Sequence, residues 1–112
     1  MPVREWIDML GRLDISPPSV KAVGVRLALY ADWKTGAKAH PGVDLLASVT
    51  GFSERAVRRA LEQLRSHGLL ERTYRGSTAG RRALADEYQL TKPADLLDRL
   101  ELLPLTREHR AR

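Results

Sequence analysis

The chain has 112 residues, 43% of them hydrophobic, and a net charge of +5 from 19 basic and 14 acidic side chains. This length suits one domain with short appendages, and its apolar residues fall in periodic blocks that argue against disorder. Cysteine is absent, which excludes disulfides and thiolate chemistry. No apolar run approaches the roughly 20 residues of a membrane span, and early charges make the N-terminus unlike a signal peptide.

Val3 to Leu13 places Trp6, Met9, Leu10 and Leu13 at helical spacing and predicts a short amphipathic helix. Pro17 and Pro18 break it and open a second helix, with Ser16 or Ser19 as N-cap. A stripe of Val20, Val23, Leu27 and Tyr30 carries that helix to about Asp32, and Trp6, Tyr30 and Trp33 are expected in packed positions. Lys34 to Gly42 is a loop by composition. Val43 to Val49 predicts a short helix capped by Gly42. Thr50-Gly51-Phe52 is a turn, and Ser53 N-caps a longer helix from Glu54 to His67 that turns Val57, Ala60, Leu61 and Leu64 inward and stops at Gly68.

After Gly68 the period changes. Leu69 to Arg75 and Ala83 to Thr91 predict two strands joined by a flexible Gly76–Gly80 turn, with Leu84, Tyr88 and Leu90 on one face. Pro93 opens a last helix with Leu96, Leu97, Leu100 and Leu103 apolar, and Pro104 ends it. The tail from Thr106 onward is charged.

The charge is not spread evenly. Between Gly51 and Arg82 stand eight arginines, no lysine and three acids, so this stretch carries the whole net charge. Arginine is the better fork for phosphates and guanine edges. Within the stretch, Gly51 supplies a turn, Phe52 plugs a corner, Ser53 caps, and Val57 and Leu61 bury the second helix. A short helix, a tight turn and a basic helix make the pattern of a helix-turn-helix.

From about Ser16 to Lys92 the sequence resembles the winged helix-turn-helix domains of bacterial, plasmid and phage DNA-binding proteins. The resemblance rests on Leu46-Ala47, Thr50-Gly51-Phe52-Ser53, Val57-Arg58-Arg59-Ala60-Leu61, Leu64 and Gly68-Leu69. It implies a mostly helical α+β fold with a β-hairpin wing, here with extra N- and C-terminal helices. Relatives often carry Ser or Thr after the proline that opens the short helix, whereas this chain has Pro41-Gly42. The phosphate contact of that hydroxyl then falls to His40 or to the amides of Val43 and Asp44.

With Val57 inward at 0°, steps of about 100° place Arg55 near 160°, Arg59 near 200° and Glu62 near 140°, away from the core, with Arg58 and Glu54 on a flank. Arg55 and Arg59 are the candidates for base edges, and Ser53 and Arg58 for phosphate or nearby bases. Arg75, Ser77, Thr78, Arg81 and Arg82 form the expected wing tip, assigned to phosphate or the minor groove. The competing reading is a solvated helix face on which Glu54 and Glu62 pair with Arg58 and Arg59. Asp86 and Glu87 point to opposite faces of a strand, make no catalytic pair, and are expected to balance Arg81 and Arg82. His40, His67 and His109 have no metal-ligand spacing, and the Gly76–Gly80 turn lacks a nucleotide-binding ending.

The sequence therefore points to an N-terminal helix at 1–15, a DNA-binding domain at 16–92 and a C-terminal helix and tail at 93–112. It predicts a non-enzymatic binder of double-stranded DNA in the cytoplasm, at the nucleoid, with no cofactor and no metal. The expected role is regulation of transcription, by repression, or control of a phage or plasmid element. Origin binding in replication initiation, an accessory role in recombination and a protein–protein adaptor are the alternatives. The apolar stripes of the terminal helices are expected either to close over the open side of the domain or to build a homodimer, first through Leu96, Leu97, Leu100 and Leu103.

Overall fold

The computed structural model describes residues 1–76 and 85–104. Four helices come first: α1 (Val3–Arg12), α2 (Pro18–Ala28), α3 (Val43–Thr50) and α4 (Glu54–Ser66). An antiparallel pair follows, β1 (Leu70–Tyr74) and β2 (Glu87–Leu90), and then a single turn, α5 (Leu96–Arg99).

Local chemistry sets the ends of α3 and α4. Gly51 turns the chain between them at φ 81°, and Gly68 ends α4 at φ 74°, both in the left-handed region that a β-carbon resists. Ser53 Oγ accepts the Ala56 N–H at 3.1 Å, which removes one of the unpaired donors at the start of α4. The ends of α2 differ from expectation. Neither Ser16 nor Ser19 caps it; Pro17 takes the cap position with no side-chain bond, and Pro18 is the first helical residue. The helix ends at Ala28, tightens through bonds from Tyr30 N–H to the Leu27 carbonyl and from Ala31 N–H to the Ala28 carbonyl, and Asp32 then closes a separate turn. Its carboxylate accepts the N–H groups of Lys34 and Thr35, each at 3.0 Å, and the Thr35 hydroxyl. The bonds from Thr35, backbone first, hold the Asp32 carboxyl below its ordinary value.

One core joins all these elements. It takes Val3, Trp6 and Leu10 from α1, Val20, Val23 and Leu27 from α2, Leu46 from α3, and Val57, Ala60, Leu61 and Leu64 from α4. Each fully buried leucine adds about 1.5–3 kcal/mol of apolar burial. Trp6 fastens α1 over the junction of α4 with the sheet: its indole N–H donates to the Leu69 carbonyl at 2.9 Å and to the Thr91 carbonyl at 3.1 Å. The Trp6 stripe of α1 thus closes over the domain. Tyr30 and Trp33, in contrast, are 38% and 60% exposed and lie outside the core.

The sheet pairs Leu70 with Leu90 and Arg72 with Tyr88, then shifts register between Arg72 and Tyr74. Leu70, Tyr88 and Leu90 are its buried residues. Ala39 bonds Tyr88 on the other edge, with N–H···O distances of 3.0 and 2.7 Å, so β2 lies between β1 and a one-residue third strand. That third strand sits in the segment expected as plain loop. Within the described residues β2 starts at Glu87 rather than near Ala83, and Leu84 lies outside them.

The C-terminal helix departs furthest from expectation. It has four residues, and Leu100 is extended at φ −138° and ψ 147°. The chain then runs antiparallel to the end of α1, where Asp14 N–H donates to the Glu101 carbonyl at 2.8 Å and Leu103 N–H to the Arg12 carbonyl at 2.9 Å. Leu96 and Leu100 are buried in the chain's own core, whereas Leu97 and Leu103 are exposed. The four leucines therefore do not form one outward stripe.

Candidate nucleic-acid interface

α4 divides cleanly by charge. Val57, Ala60, Leu61 and Leu64 are buried, and Ser53, Arg55, Arg58 and Arg59 are exposed. The ion pairs among the described residues are Arg72–Asp86 and Arg99–Asp95. Neither involves α4, so Glu54 and Glu62 leave Arg58 and Arg59 unpaired there. An outward face with unpaired guanidinium groups can fork onto phosphates or onto the O6 and N7 of guanine.

The start of α3 lies next to the wing neck. An ideal Cβ on Gly42 would stand 4.0 Å from the Ala85 Cβ, where the chain returns toward β2. Gly42 caps α3 without a side-chain bond, and the N–H groups of Val43, Asp44 and Leu45 reach no backbone acceptor among the described residues. However, Asp44 Oδ1 sits only 2.6 Å from that same Cβ position. A carboxylate therefore folds back over the helix start, where it complements the dipole and opposes a phosphate. Sequence reasoning missed this, although an acid in a helix's first turn is the usual signal for it. His40 is exposed, with Nδ1 2.8 Å from the Lys38 carbonyl. A carbonyl only accepts, so Nδ1 carries the proton, and a phosphate contact through Nε2 requires the imidazolium.

At the wing neck Asp86 is the hub. Its carboxylate accepts the Gly76 N–H at 2.6 Å, the Tyr88 hydroxyl at 3.3 Å and Arg72 Nη1 at 3.4 Å. Burial, followed by the Asp86 charge and its hydrogen bond, pushes the Tyr88 phenol up to about 12. Among the described residues the charge partner of Asp86 is Arg72, which was not expected. Glu87 instead receives the Thr73 hydroxyl at 3.3 Å. Arg75 is exposed just beyond β1, while Ser77, Thr78, Arg81 and Arg82 lie outside the described residues. The sheet ties these parts together, because Tyr88 pairs with Ala39, the neighbour of His40, on one side and with Arg72 on the other.

Among the described residues no group of three or more His, Cys, Asp or Glu side chains is placed to hold a metal ion, and no helix is long and apolar enough to cross a membrane. Residues 17–70 match the family model described as a helix-turn-helix domain. No curated protein and no solved structure matches the chain.

Proposed function

We propose, for a chain whose residues 17–70 belong to the helix-turn-helix domain family, that its task is to bind duplex DNA with α4 in the major groove. The observation that carries this reading is the exposed pair Arg55 and Arg59, without an ion-pair partner among the described residues, on an α4 whose opposite face is buried. Arg55 and Arg59 read base edges; Ser53 and Arg58 hold phosphates at the helix start. Arg75 and, in the sequence that follows it, Ser77, Thr78, Arg81 and Arg82, together with His40 beside the start of α3, add contacts to phosphate or the minor groove. Residues 16–92 act as the DNA-binding unit.

The protein works by occupancy. Bound at an operator in the cytoplasm, at the nucleoid, it blocks polymerase and represses transcription, as a regulator or as a control protein of a phage or plasmid element. No step of this needs catalysis or a cofactor.

The test is fluorescence anisotropy on a labelled duplex of arbitrary sequence at two salt concentrations. Six or more arginine–phosphate contacts predict a loss of at least about 10³ in affinity between 50 and 200 mM salt. Absence of binding at the lower salt would overturn the reading.

A further inference from the structure

α2 is apolar on two faces. Its buried face packs Val20, Val23 and Leu27 into the core. Its outer face carries Ala22, Val25 and Leu29, at three- and four-residue spacing, with Ala22 and Leu29 exposed. A second apolar face on one helix is normally covered as the first is. Beside this outer face, α1 and the α3–α4 turn enclose a groove of about 550 Å³, whose apolar lining includes Ile7, Leu10, Val25 and Phe52. Its charged lining residues are Lys21 and Arg26, with no acid, and Arg26 Nε is buried without a hydrogen-bond partner in the described structure.

The complement lies on the same chain, across α1. Leu97 is 68% exposed, Leu102 54% and Leu103 40%. The segment 95–103, which holds them, carries Asp95, Asp98 and Glu101 against one base, Arg99, which is already tied to Asp95 at 2.8 Å. It is therefore apolar and acidic where the groove is apolar and basic. The two patches flank α1 on opposite sides. Ile7 and Gly11 border the groove, whereas Glu5, Met9 and Arg12 border Leu96 and Leu102. Between them runs an exposed ridge of alternating sign, Arg4, Asp8 and Arg12.

We infer that this groove receives the leucine-rich, acidic C-terminal segment of a second copy, in a two-fold dimer whose axis runs along the ridge of α1. That axis exchanges the two sides of α1, so each groove meets the other copy's leucines and both contacts form at once. Asp98 and Glu101 then face Lys21 and Arg26. Leu97, Leu102 and Leu103 fill the apolar floor, in the manner of an amphipathic segment in a groove.

Sedimentation velocity of the full chain without DNA, from about 1 to 100 μM, is the test. Its failure would leave the DNA reading standing. The expected result is a concentration-dependent dimer. Ala22→Glu in the groove and Leu97→Asp on the segment, both at exposed positions that leave the fold intact, each weaken it about tenfold or more. A one-to-one mixture of the two variants associates more tightly than either alone, because the mixed pair keeps one intact groove facing one intact segment. A monomer throughout the range, a dimer that ignores either variant, or a mixture no tighter than its parts would overturn the inference.

Discussion

Removing the Asp44 charge is expected to move stability and DNA affinity in opposite directions. The carboxylate folds over the first turn of α3, beside three backbone N–H groups that bond no carbonyl among the described residues. As a helix-end charge it stabilises the fold by about 0.3–1 kcal/mol, and Asp44→Asn loses that amount. A DNA phosphate docking at the same helix start would meet the carboxylate at roughly 6 Å. Unit charges at that range in a mostly aqueous setting repel by about 1 kcal/mol. Asp44→Asn should therefore bind duplex DNA about fivefold more tightly while it unfolds at slightly lower urea. Anisotropy titrations at low salt, paired with urea melts of the same samples, read both quantities. The affinity gain should shrink as salt rises, because the interaction is screened. A variant that loses stability without gaining affinity would refute the placement of phosphate at α3.

Three further outcomes follow from the packing and the titration chemistry. Trp6→Phe removes the indole donor shared by the Leu69 and Thr91 carbonyls and leaves a gap beneath α1, so urea melts should show a loss of about 2–4 kcal/mol. Gly51→Ala meets no neighbouring atom and costs only backbone strain at φ 81°, about 1–2 kcal/mol, and Gly51→Asn should cost clearly less. Tyr88 prefers its neutral phenol in the fold. The unfolded chain gives up that proton near the ordinary value of about 10, the folded chain only near 12, so this contribution is full below pH 10 and is lost as pH rises to about 12. Alkaline melts of Tyr88→Phe should lack this part of the decline.

The central part of the fold was legible because its signals are local. Ser53 and Gly68 bracket α4 by chemistry within a few residues, and the 3.6-residue period separated Val57 and Leu61 from Arg55 and Arg59. Features decided by distant partners were not legible. Leu96, Leu97, Leu100 and Leu103 have helical spacing, yet the backbone after α5 pairs with Arg12 and Asp14 instead of continuing the helix. At Asp95 the carboxylate is bound to Arg99 and makes no cap bond, so nothing local supports a longer helix. The third strand is one residue, Ala39, too short to show a period. The site divided in the same way. The arginine face of α4 followed from the sequence, whereas the Asp86 hub needed the antiparallel register that brings Arg72 and Tyr88 together.

The most direct test of α4 as the DNA reader is an amide chemical-shift map of the ¹⁵N-labelled protein titrated with a short duplex. The largest changes are expected from Ser53 to Arg59, with further changes at Arg75 and Gly76, and little change along Ala22 and Val25 of the α2 groove. Changes centred on that groove, with α4 silent, would contradict a reading role for α4.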